Sequence, residues 1–177
     1  PTADAALLSK VQCAQAELYL KYADTQTDPK QKESSLSQAA KVCGEVLWRG
    51  VDVYFGRALL LMARIDLARG QPVAARKRIS DNRAVFLQIE DVLRKQTQPV
   101  AVPLALSPMA EGLFLLGKID QESGESLAEQ KSAKAYDYFG LALKEFNALV
   151  SGYPESAWAA EAAQRAAKVR EKLLAAG

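Results

Sequence analysis

One passage constrains this chain more than any other, because the chain writes it twice. Residues 59–70 read LLLMARIDLARG and residues 113–124 read LFLLGKIDQESG, an offset of 54 positions. Leu59 aligns with Leu113, Leu61 with Leu115, Ile65 with Ile119, Asp66 with Asp120 and Gly70 with Gly124. Met62 with Leu116, Ala63 with Gly117 and Arg64 with Lys118 are conservative pairs. Self-similarity at a fixed offset marks a structural unit that cannot bury its own apolar face and stacks on a neighbouring unit to do so.

The residues around the two passages read as helices. Ala, Leu, Glu, Lys, Gln and Arg predominate while the 10 glycines and 7 prolines gather at a few places, a bias toward helix over strand. Leu7, Leu8, Val11, Leu18 and Tyr22 recur at roughly helical spacing and predict a first helix over 5–23. Asp28 followed by Pro29 is a cap and first-turn signal for a second helix to about Trp48, with Gly50 as the stop. A third helix over 53–69 ends at Gly70, and a fourth runs from near Pro72 to about Lys95. Ser107-Pro108 opens a fifth helix that stops at Gly124, and a long sixth fills most of 126–151. Gly152 and Pro154 end it, and Ser156 caps a seventh helix to about Leu174.

Between the fourth and fifth helices, TQPVAVPLALSP (97–108) carries three prolines and little charge, which predicts an extended connector lying on apolar surface. About seven helices joined by mostly short turns predict an all-α fold of consecutive antiparallel hairpins. The expected organisation is one repeat domain over 1–177: an N-terminal hairpin (1–50), a first repeat unit (51–96), the connector (97–108), and a second unit plus final helix (109–177).

Composition narrows the partners. With 177 residues, 49% hydrophobic and 25% charged, the chain is long enough to bury a core and is ordinary for a folded protein. The net charge of +2 arises from mixed signs without a block of either, too weak a field to argue for nucleic acid or an anionic membrane. Arg64, Lys118 and several prolines interrupt the greasiest runs, so no membrane span is expected. The chain begins at Pro1 without Met or a basic-then-apolar leader, and is expected to be a processed or trimmed form. Histidine is absent and only Cys13 and Cys43 carry thiols, which leaves too few ligands for structural zinc; no metal or other cofactor is expected.

Cys13 and Cys43 lie almost equidistant from the turn near Asp28, so a hairpin of the first two helices sets them at the same height. They read either as two buried small apolar residues or as a disulfide pinning the hairpin, which requires an oxidising compartment.

Two features could be taken for chemistry. Gly112, Gly117 and Lys118 have the spacing of a phosphate-binding loop, but Ile119 stands where a Ser or Thr would hold magnesium and no strand precedes. Asp66 and Asp120 could be imagined as acid/base carboxylates, yet nothing nearby supplies a second catalytic group. On a helical wheel Asp66 shares its face with Leu59, Met62 and Ala63, so it is expected to point at the paired helix and to find an N-terminal cap or an Arg partner there.

The two passages also resemble the tetratricopeptide repeat. That family places a large residue, then Leu-Gly, then usually an aromatic on a first helix, and Ala, a large apolar residue and a closing Pro on the second. This chain offers Leu113, Leu116-Gly117 and Asp120, then Ala142, Phe146 and Pro154; the earlier unit offers Leu59, Met62-Ala63 and Asp66, then Ala75 and Ile79. The stretch from Ala142 to Ala162, with its Tyr153-Pro154-Glu155-Ser156 turn, is similar to repeats of bacterial cell-envelope proteins of the outer-membrane assembly lipoprotein and Tol-Pal coordinator type. The chain departs from the pattern where Asp replaces the usual aromatic, and where Gly124 to Ala142 is far longer than Gly70 to Ala75.

The resemblance implies a right-handed superhelical array acting as a non-catalytic protein-protein interaction scaffold, in a periplasmic or other envelope setting or, alternatively, in the cytoplasm. It further implies an inner surface that binds an extended protein or peptide. The positions it points to are Arg57, Leu60, Arg64, Phe114, Lys118 and Gln121, with Arg64 and Lys118 as contacts for an acidic or C-terminal carboxylate group. A structural segment of a longer solenoid, and a helical ligand-binding or enzymatic domain, are the alternatives.

Overall fold

The structure, a computed structural model, describes residues 3–96 and 107–175. Among them are eight α-helices: α1 (Ala3–Thr25), α2 (Pro29–Trp48), α3 (Phe55–Ala68), α4 (Pro72–Asp81), α5 (Arg83–Gln96), α6 (Pro108–Glu129), α7 (Ala135–Gly152) and α8 (Ala159–Leu174). The fold is all-α, and packing runs mostly between sequence neighbours as antiparallel pairs. Two compact units result, Pro1–Val102 and Pro103–Gly177, with the boundary inside the proline-rich stretch expected to connect repeats. Most of that stretch lies outside the described residues.

In the first unit, α1 and α2 form a hairpin whose turn is set by Asp28. Its carboxylate accepts from the Lys30 backbone N–H at 2.9 Å while Pro29 takes the first helical position, so both entry signals act as read. Cys13, Ala16, Leu20 and Ala23 of α1 meet Leu36, Ala39, Val42, Cys43 and Val46 of α2, and Ala58, Leu61 and Ile65 of α3 close the same core. α3 is the hub of this unit, packing on α1, α2, α4 and α5. At its C-terminus Gly70 takes φ +71, its N–H donates to the Leu67 carbonyl, and the Gln71 N–H reaches back to the Asp66 carbonyl. That pair of bonds around a left-handed residue is the Schellman closure that glycine favours.

The single fourth helix expected over 72–95 is broken. Asn82 leaves the helical region at φ −105, ψ 9, and its side-chain amide donates to the Arg78 carbonyl at 2.8 Å. Asn supplies the backbone with an alternative partner and so ends α4. α5 then restarts at Arg83 and buries Phe86, Ile89 and Leu93.

In the second unit the expected stop at Gly124 does not occur. α6 continues for five residues beyond it to Glu129, and the next helix starts at Ala135 instead of near Ser126. The reason lies across the hairpin. A Cβ placed on Gly117 would lie 2.5 Å from the Phe146 ring, and one on Gly124 would lie 2.7 Å from the Phe139 ring. Both glycines are notches that accept aromatic rings from α7, and their order along the two helices shows that these run antiparallel. α6 closes at Lys131, a non-glycine residue at φ 56, with the Lys131 N–H on the Ala128 carbonyl and the Ser132 N–H on the Leu127 carbonyl.

α8 packs mainly on α7 and touches α6 as well, burying Ala159, Ala162, Ala166 and Val169. Ser156 does not cap it. Trp158 occupies the cap position with no side-chain hydrogen bond, and the Ser156 hydroxyl is buried without a partner.

Candidate functional site

The two repeated aspartates are interior. Asp66 is 5% exposed, and Arg78, two turns into α4, donates its Nε to Asp66 Oδ2 at 2.8 Å. This is a partly buried charge-assisted bond between consecutive helices, and it explains why an apolar helix face tolerates an acid. Asp120 is completely buried. Neither carboxylate faces an open cleft.

The six positions assigned to a partner surface divide between the units. In the first, Leu60 is fully buried, Arg57 of α3 is ion-paired with Glu17 of α1, and Arg64 is half-buried and engaged within the fold. In the second, Phe114 is buried and Lys118 is half-buried. Gln121 is buried too, with its amide donating to Glu125 Oε1 at 3.0 Å. Leu60 and Phe114 are therefore core residues.

Phe114 organises the most distinctive cluster of the second unit. Trp158 stacks on it with ring centroids 5.0 Å apart, and the Arg165 guanidinium of α8 lies 5.9 Å above the same ring. Arg165 also donates its Nε to Glu161 Oε1 at 2.8 Å and its Nη1 to Gln121 Oε1 at 3.2 Å. An aromatic face, a carboxylate and an amide thus hold one guanidinium in place. Beside it opens a half-open polar cleft of about 540 Å³, lined by Gln121 of α6 and Ala157, Ala160, Glu161, Gln164, Arg165 and Lys168 of the α8 segment. Lower down, Lys172 donates to Glu125 at 2.5 Å, and this bond holds the Glu125 carboxyl below its usual range.

Of the residues assigned from sequence, only Gln121 lines this cleft. Glu161, Gln164, Arg165 and Lys168 were not assigned, although a signal existed: positions 161, 164, 165 and 168 share one polar face of the last helix, beside the Ala162, Ala166 and Val169 stripe. A cation, an amide and an exposed lysine around an open recess can take up a carboxylate.

A second recess, of about 370 Å³, lies in the first unit among Ala6, Val51, Val53, Ile89 and Val92, with Asp52 and Gln88 at its rim. Asp52 is already occupied, accepting from the Ser9 hydroxyl at 2.7 Å and the Tyr54 N–H at 2.8 Å. Cys13 and Cys43 are buried in the adjoining core as free thiols, and no disulfide links them. Burial pushes them up to about 11 and about 12, which keeps both as neutral, unreactive apolar groups.

Among the described residues no cluster of His, Cys, Asp and Glu could hold a metal ion, and no helix is long and apolar enough to cross a membrane. Compared with protein-family models, curated proteins and solved structures, the chain finds no match.

Proposed function

We propose that this chain is a non-catalytic interaction scaffold of the tetratricopeptide type, serving in the bacterial cell envelope and presenting the α6–α8 cleft to an acidic side chain or free C-terminal carboxylate of a protein or peptide. The observation that carries this reading is Arg165. Of the five N–H donors of a guanidinium, Nε and one on Nη1 are committed to Glu161 and Gln121, which leaves three on a side chain that lines the recess and sits over the ring of Phe114. Lys168, one turn away on the same face, adds a mobile positive charge. Preorganisation of this kind favours carboxylate binding because little side-chain freedom is lost on association. The tetratricopeptide reading is supported by the small residues of α6 receiving large apolar residues of α7, and the envelope setting by the Tyr153-Pro154 turn.

The test is affinity capture on the full chain followed by binding measurements with the captured partner. Arg165→Glu with Lys168→Glu should weaken binding at least tenfold and remove its salt dependence, whereas Arg64→Glu with Lys118→Glu should have a smaller effect. Unchanged affinity in the α8 double variant would place the partner elsewhere.

A further inference from the structure

α1 is apolar on two opposite sides. One side, Cys13, Ala16, Leu20 and Ala23, is buried against α2 and α3. On the other, Leu7, Val11, Leu18 and Tyr22 stand 61%, 57%, 66% and 56% exposed, with Leu8 at 48% on the border. At 100° per residue those four fall within a sector about 60° wide, a continuous stripe running about 22 Å along the helix. Among the described residues no other helix leaves so many large apolar side chains exposed on one line, and such a line marks an interaction surface.

The spacing of the stripe identifies its occupant. Leu7 and Val11 are four apart, as are Leu18 and Tyr22, and the pattern is a palindrome about the point between Ala14 and Gln15. The wheel direction of that midpoint is also the centre of the stripe. A two-fold axis at that midpoint therefore sets Leu7 against Tyr22 and Val11 against Leu18, apolar on apolar, with the same patch serving on both partners. Ala14 and Gln15 are exposed and lie at this centre, and the small Ala14 permits close approach.

Along one border Lys10, Glu17, Lys21 and Asp24 alternate in sign. That pattern suits a protein surface, not the cationic flank of a helix that lies on anionic lipid. The five apolar side chains expose on the order of 500 Å², so two copies would bury on the order of 1,000 Å² together, at the lower limit for a specific interface.

We infer that α1 docks on α1 of a second copy of this chain, antiparallel, with Leu7 toward the Tyr22 end of the partner helix and Val11 toward its Leu18 end. The pair is weak and depends on concentration, as its area requires.

Sedimentation velocity on the full chain should show the mass rising from 19.2 kDa toward twice that value between about 1 and several hundred µM. Leu18→Glu should keep the helical content and melting temperature of the monomer while raising the dimer Kd at least tenfold. Gln15→Cys should cross-link across the axis on mild oxidation, because the two copies of that position nearly touch. Leu7→Cys should not, since an antiparallel pair holds its two copies about 22 Å apart. The buried Cys13 and Cys43 give little background. A monomer at every concentration overturns the inference and leaves the stripe to a helix of another protein or of a longer chain. So does a dimer unaffected by Leu18→Glu, or Leu7→Cys cross-linking as readily as Gln15→Cys.

Discussion

α3 and α6 carry the same written passage and end by the same device, yet the shared glycine does opposite work in them. In α3 the glycine at the end of the passage is the stop: Gly70 takes φ +71 and closes the helix. In α6 the aligned Gly124 is a notch for the Phe139 ring, and the stop comes seven residues later at Lys131. The difference follows from the partner. α3 is followed by the short α4, which opens at Pro72. α6 is followed by the 18-residue α7, whose Phe139 ring fills the space beside Gly124 and leaves that glycine in the interior of a continuing helix. A glycine's role is therefore set by what stands opposite it.

This contrast can be broken most forcefully at the rings. Phe146→Ala, which empties a completely buried site beside Gly117, should destabilise the second unit by about 3–5 kcal/mol in denaturant unfolding. Gly124→Ala should destabilise by about 1–3 kcal/mol through overpacking, reversing the gain of up to about 1 kcal/mol that alanine normally brings to a helix interior. Phe139→Leu in the same chain should recover part of that loss.

Gly70→Ala should cost about 1–2 kcal/mol for a different reason, the left-handed backbone, and Gly70→Asn should be milder. Lys131→Gly should move stability the other way, raising it by about 1 kcal/mol, because a lysine now holds a conformation that glycine adopts without strain.

The smallest effect concerns Glu125. Its pKa is depressed by Lys172, so its contribution is present above the usual carboxyl value of 4.5 and fades as pH falls through the lower folded value. Glu125→Gln should remove a slight part of the acid limb of the pH-stability profile and leave neutral pH nearly unchanged, since the pair is substantially exposed to solvent.

Much of the helical architecture was legible because its signals are local. Asp28-Pro29, Gly50, Gly70 and Ser107-Pro108 mark helix ends through backbone geometry and nearest neighbours, and each acts in the structure as its letters suggest. Gly124 misleads for a physical reason: a glycine that admits an aromatic ring and one that turns the backbone look the same until the opposing helix is known. Asn82 was readable only weakly, since a single polar residue inside an amphipathic run is commonly solvated without breaking the helix.

The candidate cleft shows the same limit. Phe114 and Leu60 lie on helix faces that a wheel cannot distinguish from open surface, because burial there depends on tertiary packing. Arg165 becomes informative only when Phe114, Gln121 and Glu161 are seen around it. Asp66 stands between these cases. Its direction toward the next helix was set by the wheel, but whether it would meet the α4 backbone or an arginine, and that the arginine is Arg78, required the structure.

The two ring-and-notch contacts between α6 and α7 have a consequence for folding. Gly117 and Gly124 are seven apart, as are Phe139 and Phe146, so both pairs match in one alignment only. Sliding α7 by seven residues keeps one match and drives the other ring off the notches. Sliding it by a single turn seats neither ring and brings them opposite positions such as Leu113 and Asp120, which carry side chains. Generic apolar contact would tolerate those slipped hairpins as traps of nearly equal energy. The paired vacancies act as a vernier that separates the native alignment from them and narrows the route to a single folded hairpin.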